Sequence, residues 1–424
     1  MFEKLALYGG ATVHDGNWPN WPQSTENTRR NLNAVLGSHR WSISGQYRGQ
    51  LSWEERFGLA FAAYTGAGYC VPSSTGTASL SMALEACEVG AHDEVIVPGV
   101  SWVASASAVL GINAIPVLTD VESETGCLDP VALERAITSR TRAITVVHLG
   151  SAVADLDRLV AIAKAHSIPL IEDCAQAHGA RYAGRHVGCF GAAGTFSMQH
   201  SKLLTSGEGG AVITDNADLA RRLAHLRADG RTLSEQPPGI DEMALVESAE
   251  IMGNNHCLSE FHAAILVAQL EVLDEQLARR RRNAAILDSF LVPLGFLPQA
   301  TAPRTTERAH YTYVVRLPQS IVETHGAERF ATALSAEIRL PCKTMYNALN
   351  QNRLYKPSSR NRFELGKAFT EAVNPSRYQL PIAQEFSSSC IALPHRMLLA
   401  DTSAIEQVAA AFEKVARLID NRRA

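Results

Sequence analysis

The feature that most constrains the fold is an alternation of short, β-rich runs with helix-like patterns between residues 52 and 226. The strand-like runs are YCV (69–71), EVIVP (94–98), AITVVHL (143–149), IPLIED (168–173), GTFSM (194–198) and GGAVITD (209–215). A capping box from Ser52 to Glu55 opens one helix, and we expect Asp215 to cap another. This alternation predicts an α/β domain with a mostly parallel sheet.

A long helical pattern from Leu258 to beyond Arg282 separates this region from a C-terminal part of mixed character. That part combines strands such as YTYVVRL (311–317) with helices, the last of which begins after Asp401. A chain of 424 residues is long enough for two domains with sizeable cores. We therefore predict a large domain over residues 1–275, which includes an N-terminal active-site segment, and a smaller α+β domain over residues 276–424.

Composition argues against several classes of function. The formal net charge is −4 and the profile is that of an ordinary soluble protein, so we expect neither nucleic acid nor a membrane as a partner. We interpret the run ARRRRN (278–283) as a solvated helix surface. No secretory signal is expected, because the N-terminal stretch lacks a basic region followed by an apolar core. The eight cysteines form no Cys-x-x-Cys pair, which predicts reduced thiols in a cytoplasmic protein without a metal site.

Three polar features follow predicted strands, where ligands bind in open α/β sheets. SSTGTAS (73–79) offers small residues and a helix N-terminus that suit a phosphate. Asp173 closes IPLIED, and Lys202 lies between a strand and a glycine-rich turn in SMQHSKLLTSGEGGAV (197–212). Each feature alone also has an ordinary explanation: a helix cap for the first two and an exposed loop for the third.

The three features together match the chemistry of pyridoxal phosphate. That cofactor requires a lysine for a Schiff base, a carboxylate on the pyridine nitrogen and a cradle for the phosphate. The carboxylate keeps the ring nitrogen protonated, which makes the ring an electron sink. The chain offers the cradle at 73–79, then Asp173, then Lys202. We therefore predict a pyridoxal 5′-phosphate enzyme.

The motifs also resemble those of a known family. SMQHSKLLTSGEGGAV, IEDCAQAHGA and VPSSTGTASLSMALEA are similar to segments of the DegT/StrS aminotransferases, which transfer amino groups to ketosugars and ketocyclitols. The resemblance extends over nearly the whole chain. It implies a fold-type-I, pyridoxal-phosphate-dependent homodimer whose active sites are shared between subunits. Four segments resemble one branch, the L-glutamine:scyllo-inosose aminotransferases. They are NWPNWPQ, SHRWSISGQYRG, LRADGR and GNNHCLSEFHAAIL.

The resemblance implies roles for individual residues. Lys202 would be the Schiff-base lysine and general acid/base, Asp173 would pair with the pyridine nitrogen, and Gln176 would lie near the ring. Trp102 would stack on the ring, although a core tryptophan is the competing interpretation. Residues expected at the phosphate are Gly76, Thr77, Ala78, Ser197 and, from the partner subunit, Asn255. A helix N-cap is the other interpretation of Asn255.

The substrate-binding residues are less clearly marked. Many relatives have an arginine two residues after the asparagine that matches Asn255, whereas this chain has Cys257. The donor's carboxylate therefore lacks an obvious partner, and Arg227 is a candidate that could instead interact with its helix dipole. Tyr47 and Tyr346 are candidates for the acceptor pocket. Departures from the family pattern at Gly150 and Asn350 fall in segments that contact or border that pocket in relatives.

We therefore predict an enzyme that moves an amino group from L-glutamine, or glutamate, to a ketocyclitol such as scyllo-inosose or 2-deoxy-scyllo-inosose. The expected setting is aminoglycoside-type biosynthesis. One alternative is an enzyme of the same fold that acts on a keto nucleotide-sugar or resembles aminohydroxybenzoate synthase. An alternative of another class is a regulatory protein that has kept the fold and lost turnover.

Overall fold

The computed structural model describes residues 4–234, 236, 238–248, 250–363 and 365–419. Its helices are α1 Glu26–Ser38, α2 Trp53–Thr65, α3 Gly76–Ala86, α4 Ala104–Gly111, α5 Pro130–Ala136, α6 Leu156–Ala165, α7 Ala217–Arg227, α8 Glu260–Leu291, α9 Gln319–His325, α10 Ala327–Ile338, α11 Lys367–Ala372, α12 Pro381–Ser389 and α13 Thr402–Leu418. Its strands are β1 Tyr69–Ser73, β2 Glu94–Pro98, β3 Ile115–Thr119, β4 Thr141–Val147, β5 Leu170–Asp173, β6 Arg181–Tyr182, β7 Arg185–His186, β8 Ala193–Ser197, β9 Gly210–Thr214, β10 Arg231–Leu233, β11 Leu245–Glu247, β12 Leu297–Pro298, β13 Thr305–Glu307, β14 Thr312–Arg316, β15 Lys343–Thr344 and β16 Cys390–Pro394. In this part of the chain, no helix combines the length and apolar character needed to cross a bilayer.

A seven-stranded sheet with the order β1-β9-β8-β5-β4-β2-β3 forms the centre of the larger part. Within it, β9 runs antiparallel to its neighbours β1 and β8, and the other pairings are parallel. Strands β2, β8 and β9 are buried along their whole length, as expected of strands covered by helices on both faces. The α/β class predicted from the alternating pattern is confirmed.

The register aligns the ends of several strands. Asp173 pairs with Val147 and Thr195, while Ser197 and Ser73 both lie opposite Gly210. The ends of β1, β5 and β8 therefore meet the start of β9 at one edge of the sheet. This edge carries all three polar features singled out in the sequence.

The C-terminal part contains a four-stranded antiparallel sheet with the order β12-β14-β16-β15. Three phenylalanine rings form the centre of its core, with centroids 5.1–5.8 Å apart: Phe296, Phe330 and Phe412. Leu5 and Trp18, from the start of the chain, pack into the same core. Helix α8 continues without a break across residues 275 and 276, so the division predicted there stays a prediction.

Three local expectations can be compared directly with the structure. The capping box at Ser52 and Glu55 is present, and Asp401 caps the last helix. The cap predicted at Asp215 is wrong by one residue, because the side chain of Asn216 accepts from the N–H of Leu219. Asp215 instead accepts the N–H of Gly68 at 2.8 Å.

The prediction of a solvated surface for the arginine run is wrong at Arg280, whose side chain is fully buried. The run does spread around α8, since Arg279 and Arg282 are exposed. The helical period therefore directs one arginine of the run into the protein. The buried side chain of Arg280 lies next to the candidate site.

Candidate active site

A cavity of about 390 Å³ opens where β5 and β8 end at the edge of the central sheet. Its lining includes the turn before α3, the start of α4 and the loop that carries Lys202. Tyr311 and Tyr346, from the C-terminal part, complete the wall. The position follows the general rule for ligand sites in open α/β sheets.

Lys202 lies in a tight loop between β8 and β9. Backbone hydrogen bonds close this loop: the N–H of Lys202 donates to the carbonyl of Gln199, and that of His200 donates to the carbonyl of Gly207, each at 2.8 Å. Gly207 has a φ of 95°, which other residues rarely adopt. The Lys202 side chain is only 9% exposed, and its Nζ lies 4.4 Å from the centre of the Tyr311 ring. The glycine turn therefore holds a nearly buried amine at the cavity wall.

Asp173 presents a fixed carboxylate to the same cavity. Its Oδ1 accepts the N–H of Ala175 at 3.1 Å, and its Oδ2 accepts the hydroxyl of Ser105 at 3.0 Å. Burial raises the pKa of Asp173 above its usual value, although these hydrogen bonds and the charge of Lys202 oppose the rise. Because Asp173 is buried, water only weakly screens the attraction between its carboxylate and a cation bound beside it.

A second carboxylate, Glu172, holds the end of β5 from behind. Its oxygens accept the N–H groups of Gly188, Phe190 and Gly191 at 2.7–2.9 Å, and His148 Nε2 lies 3.2 Å away. Burial alone would raise the pKa of Glu172, but the hydrogen bonds from His148 and the backbone hold it below the usual value. This network fixes the strand end and leaves Asp173 facing the cavity.

The turn before α3 can cradle an anion. Thr75 caps the helix by accepting the N–H of Ala78 at 3.0 Å, so that N–H is occupied. The N–H groups of Gly76 and Thr77 fall in the first turn, where a helix offers them no carbonyl. A Cβ added at Gly76 would lie 2.5 Å from the Cβ of Ser197, so only glycine permits this close approach.

Aromatic and amide groups complete the cavity. Trp102 is 48% exposed, and its ring lies 5.9 Å from that of Tyr346 at an angle of 60°. Burial raises the pKa of Tyr346 well above its usual value, so its hydroxyl stays protonated. Gln176 is fixed by the N–H of Gly150, which donates to its Oε1 at 2.8 Å. A Cβ at Gly150 would lie 2.8 Å from Oε1 of Gln299, which makes glycine necessary there.

Four predicted residues lie outside the lining of this cavity in the single chain: Ala78, whose N–H donates to Thr75, and Arg227, Asn255 and Tyr47. Arg227 is buried in an ion pair with Glu54, with 2.6 Å between Nη1 and Oε1. Asn255 is exposed and bridges to Ala228, while the cap of α8 is Ser259 rather than Asn255. Tyr47 is bound through its backbone to residues 241 and 242. The structure therefore does not bring these side chains to Lys202.

Several residues of the cavity were not predicted from the sequence, notably Tyr311 and Ser105. Tyr311 is the first residue of the predicted strand YTYVVRL, and its hydroxyl lies 2.9 Å from that of Ser201, 110 positions away. Ser105 lies in the first turn of α4, three residues after Trp102, and donates to Asp173. A tyrosine at the start of a strand and a serine in a small-residue helix are too common to mark a site. Only the fold brings them to the lysine and the aspartate.

Comparison with known proteins finds relatives that share the motifs and the fold of this chain. The pattern of the DegT/DnrJ/EryC1/StrS aminotransferase family matches residues 22–413. The L-glutamine:2-deoxy-scyllo-inosose aminotransferase of Streptomyces lividus is 56% identical over 417 residues, which is 98% of each chain. The L-glutamine:scyllo-inosose aminotransferase of Streptomyces griseus is 56% identical over 423 residues, 100% of this chain and 99% of the relative. The crystal structure of 3-amino-5-hydroxybenzoic acid synthase superposes with a TM-score of 0.78 at 31% identity, covering 95% of this chain and 99% of that one. The chain therefore belongs to the DegT/DnrJ/EryC1/StrS aminotransferase family.

Proposed function

We propose that this protein moves an amino group from L-glutamine, or glutamate, to a ketocyclitol such as scyllo-inosose or 2-deoxy-scyllo-inosose, with pyridoxal 5′-phosphate as its cofactor. The observation that carries the proposal is that a nearly buried amine, Lys202, and a buried carboxylate, Asp173, line one cavity. The two relatives at 56% identity support the substrate class, because both are named for glutamine and an inosose.

The residues present fit the cofactor. Lys202 offers an amine for its aldehyde, and Asp173 offers a carboxylate for its ring nitrogen. The N–H groups of Gly76 and Thr77, with Ser197 beside them, suit a phosphate. Ser197 can approach Gly76 this closely only because that residue has no Cβ. The exposed ring of Trp102 offers a flat aromatic face.

When bound, pyridoxal 5′-phosphate supplies an electron sink for the bond that breaks at the donor's α-carbon. Lys202 Nζ takes the proton from that carbon and returns a proton in the reverse half of the reaction, as a general base and then a general acid. Asp173 holds positive charge on the ring nitrogen, and Ser105 and Ala175 keep its carboxylate in place. Tyr311 packs its ring against Lys202 Nζ and so limits where the amine can move.

We also propose a cytoplasmic homodimer with shared active sites. Asn255 and Tyr47 lie outside the cavity of their own chain, and we propose that they act in the site of a neighbouring subunit. Large apolar side chains are exposed in the same segments, including Trp41 at 54% and Met252 at 94%. Such exposure is typical of a surface that a partner covers. The eight cysteines are free thiols, as expected in a reducing compartment.

The acceptor is tested by initial rates at equal concentrations of scyllo-inosose, 2-deoxy-scyllo-inosose and keto nucleotide-sugars, with glutamine or glutamate as donor. We expect the free ketocyclitols to react and the nucleotide-sugars to be poor acceptors. A clear preference for a nucleotide-sugar would reverse the proposed acceptor class. If the protein shows neither the absorbance of a bound cofactor nor turnover of any of these substrates, the result would instead favour a regulatory protein that has lost turnover.

The shared site is tested by mixing two inactive chains, Lys202→Ala and Asn255→Ala. A hybrid dimer would hold one intact site, so we expect partial recovery of activity under conditions that exchange subunits. Mass spectrometry of the intact complex provides the control that subunits have exchanged. Exchange without recovery, when Asn255→Ala alone is inactive, would contradict the shared site.

A further inference from the structure

Two further cavities adjoin the one that contains Lys202. The first, of about 380 Å³, shares Ser201 and Tyr311 with it. The second, of about 410 Å³, shares Tyr311 and Tyr346. Arg396 lines both of these outer cavities, and Lys343 lines the second. The outer cavities therefore extend the site toward two cationic side chains.

The inner cavity is lined by charges of both signs, whereas the charged side chains at the outer cavities, Arg396 and Lys343, are cationic. The inner cavity is lined by two acids, Asp173 and Glu208. Among the described residues, the lining of the outer cavities includes no aspartate or glutamate. Arg396 donates to the carbonyl of Pro19 at 3.4 Å, which uses one of its five N–H donors. Arg396 and Lys343 have no carboxylate within 4.0 Å in the described part of the chain.

A third cation, Arg280, is buried next to the first outer cavity. Its Nη2 donates to Nδ1 of His395 at 3.2 Å, and its guanidinium lies 4.9 Å from the centre of the Trp21 ring. Its Nε and Nη1 have no hydrogen-bond partner among the described residues. Burial lowers the pKa of Arg280 to about 9, and burial and Arg280 together hold the pKa of His395 well below its usual value. Arg280 therefore adds positive charge that no carboxylate of the described residues pairs with.

We propose that Arg396, assisted by Lys343, binds the α-carboxylate of the amino donor where these cavities meet. The inference rests on the proposed function and names a subsite within it. An α-carboxylate is attached to the same carbon as the reacting amine, so its partner must lie close to Lys202. Arg396 lines a cavity that shares Ser201 and Tyr311 with the cavity that contains Lys202. Its neighbour in sequence, His395, fixes this segment to the lysine loop, because His395 Nε2 donates to the carbonyl of Ser201 at 3.1 Å.

The chemistry favours the donor over the acceptor as the ligand of this subsite. An amino acid carries a carboxylate, whereas a ketocyclitol is neutral. A guanidinium can bind a carboxylate through two parallel hydrogen bonds. Arg227, the arginine suggested by the sequence, is already paired with Glu54. The geometry thus provides a second arginine whose charge is free for the substrate.

The test is calorimetric binding of 4-carbamoylbutanoate, which keeps the carboxylate and side-chain amide of glutamine but lacks the reacting amine. The matched neutral ligand is pentanediamide. We expect Arg396→Gln to weaken binding of the carboxylate roughly 10- to 100-fold and to leave the weak binding of the diamide unchanged. Arg396→Lys should retain part of the affinity, and Lys343→Gln should have a smaller effect because that side chain is exposed. The exposed Lys356→Gln is the control and should bind like the wild type.

Several results would overturn this inference. Unchanged binding of the carboxylate by Arg396→Gln would exclude the subsite. An equal loss of affinity for 4-carbamoylbutanoate and for pentanediamide would show that Arg396 contributes only to the packing of the cavity wall. Weakened binding of pyrophosphate with intact binding of the carboxylate would assign the cations to a phosphorylated acceptor. Arg396-dependent carboxylate binding in an enzyme that aminates no ketocyclitol would support the subsite and contradict the proposed acceptor, so the two claims fail separately.

Discussion

The two walls of the cavity are built in different ways. The inner wall consists of Gly76, Asp173, Ser197 and Lys202, which lie at or just beyond strand ends of one sheet and are held by backbone hydrogen bonds and tight glycines. The outer wall consists of side chains from the C-terminal part, each more than 100 residues after Lys202: Tyr311, Lys343, Tyr346 and Arg396. The inner wall is set by the backbone, and the outer wall by the packing of two parts of the chain.

This difference indicates that the two walls have separate functions. Groups that move protons must be placed precisely, and strand ends and closed loops supply that precision. Groups that select a substrate can lie on a separate sheet, where a substitution does not disturb the reacting centre. We therefore expect substitutions in the inner wall to abolish the reaction with any substrate. Substitutions in the outer wall should alter the affinity for particular substrates.

The largest expected effect is that of Lys202→Ala. Removal of the amine removes the base and acid at the α-carbon, so the rate should fall about 10³-fold or more. The near-visible absorbance of a lysine-bound cofactor should disappear as well. Stopped-flow spectra and steady-state rates provide the measurement, with the exposed Lys356→Ala as control. A variant that keeps both the absorbance and the activity would contradict the assignment of Lys202.

Asp173→Asn should reduce the rate about 100-fold while the protein still folds, because an amide cannot hold charge on the ring nitrogen. The amide can keep the contacts with Ala175 and Ser105. Asp218→Asn, an exposed change on α7, is the matched control. If the amide variant turns over like the wild type, Asp173 serves only to order the strand end.

Asp173→Asn also tests the raised pKa of Asp173, through the pH dependence of the free energy of unfolding. Burial raises the pKa of Asp173 in the folded chain above the unfolded value of about 3.9. The unfolded chain therefore loses this proton first as the pH rises. The cofactor-free wild type should lose stability relative to Asp173→Asn from about pH 4 up to the raised pKa. Urea unfolding of both proteins across this range measures the difference, and a difference independent of pH would contradict the raised pKa.

Gly76→Ala should weaken cofactor binding about 10-fold through a strain of about 1–3 kcal/mol. The added Cβ would lie 2.5 Å from that of Ser197, so one of the two segments must move. Gly37→Ala is the control, because its Cβ would meet nothing within 4 Å. Fluorescence titration of the cofactor gives both affinities. Equal affinities for the two variants would exclude a cradle at Gly76.

The smallest effect belongs to the outer wall. Tyr311→Phe keeps the ring beside Lys202 but loses the hydroxyl that contacts Ser201 at 2.9 Å. Loss of one hydrogen bond of about 1 kcal/mol corresponds to about a fivefold change, expected in KM rather than in kcat. The exposed Tyr69→Phe serves as control. A 100-fold loss of kcat would show that Tyr311 belongs to the reacting centre and would remove the distinction between the walls.

The inner wall and the central sheet were predictable from the sequence because both are local. A lysine beside a glycine turn, an aspartate at a strand end and a small-residue helix start are each contained in a short segment. The strand Ile115–Thr119 was not predicted, since it lies at the edge of the sheet and contains Pro116, which weakens the strand pattern.

The outer wall was not predictable because it depends on contacts between distant segments. Arg280 seemed to belong to a solvated run, and only the packing of α8 against Trp21 and His395 shows that it is buried. Arg396 follows a strand without any motif around it. The shared site and the roles of Asn255 and Tyr47 stay predictions, because they depend on a second subunit.

The most direct test of the account follows the nitrogen atom. Purified enzyme with pyridoxal 5′-phosphate is incubated with scyllo-inosose and L-glutamine labelled with ¹⁵N at either the α-amine or the side-chain amide. The account predicts that mass spectrometry finds the label in the aminocyclitol only when the α-amine is labelled, in an amount equal to the 2-oxo acid formed. Label from the side-chain amide, or an aminocyclitol without label when the α-amine is labelled, would contradict transfer of the donor's α-amine through the cavity that contains Lys202.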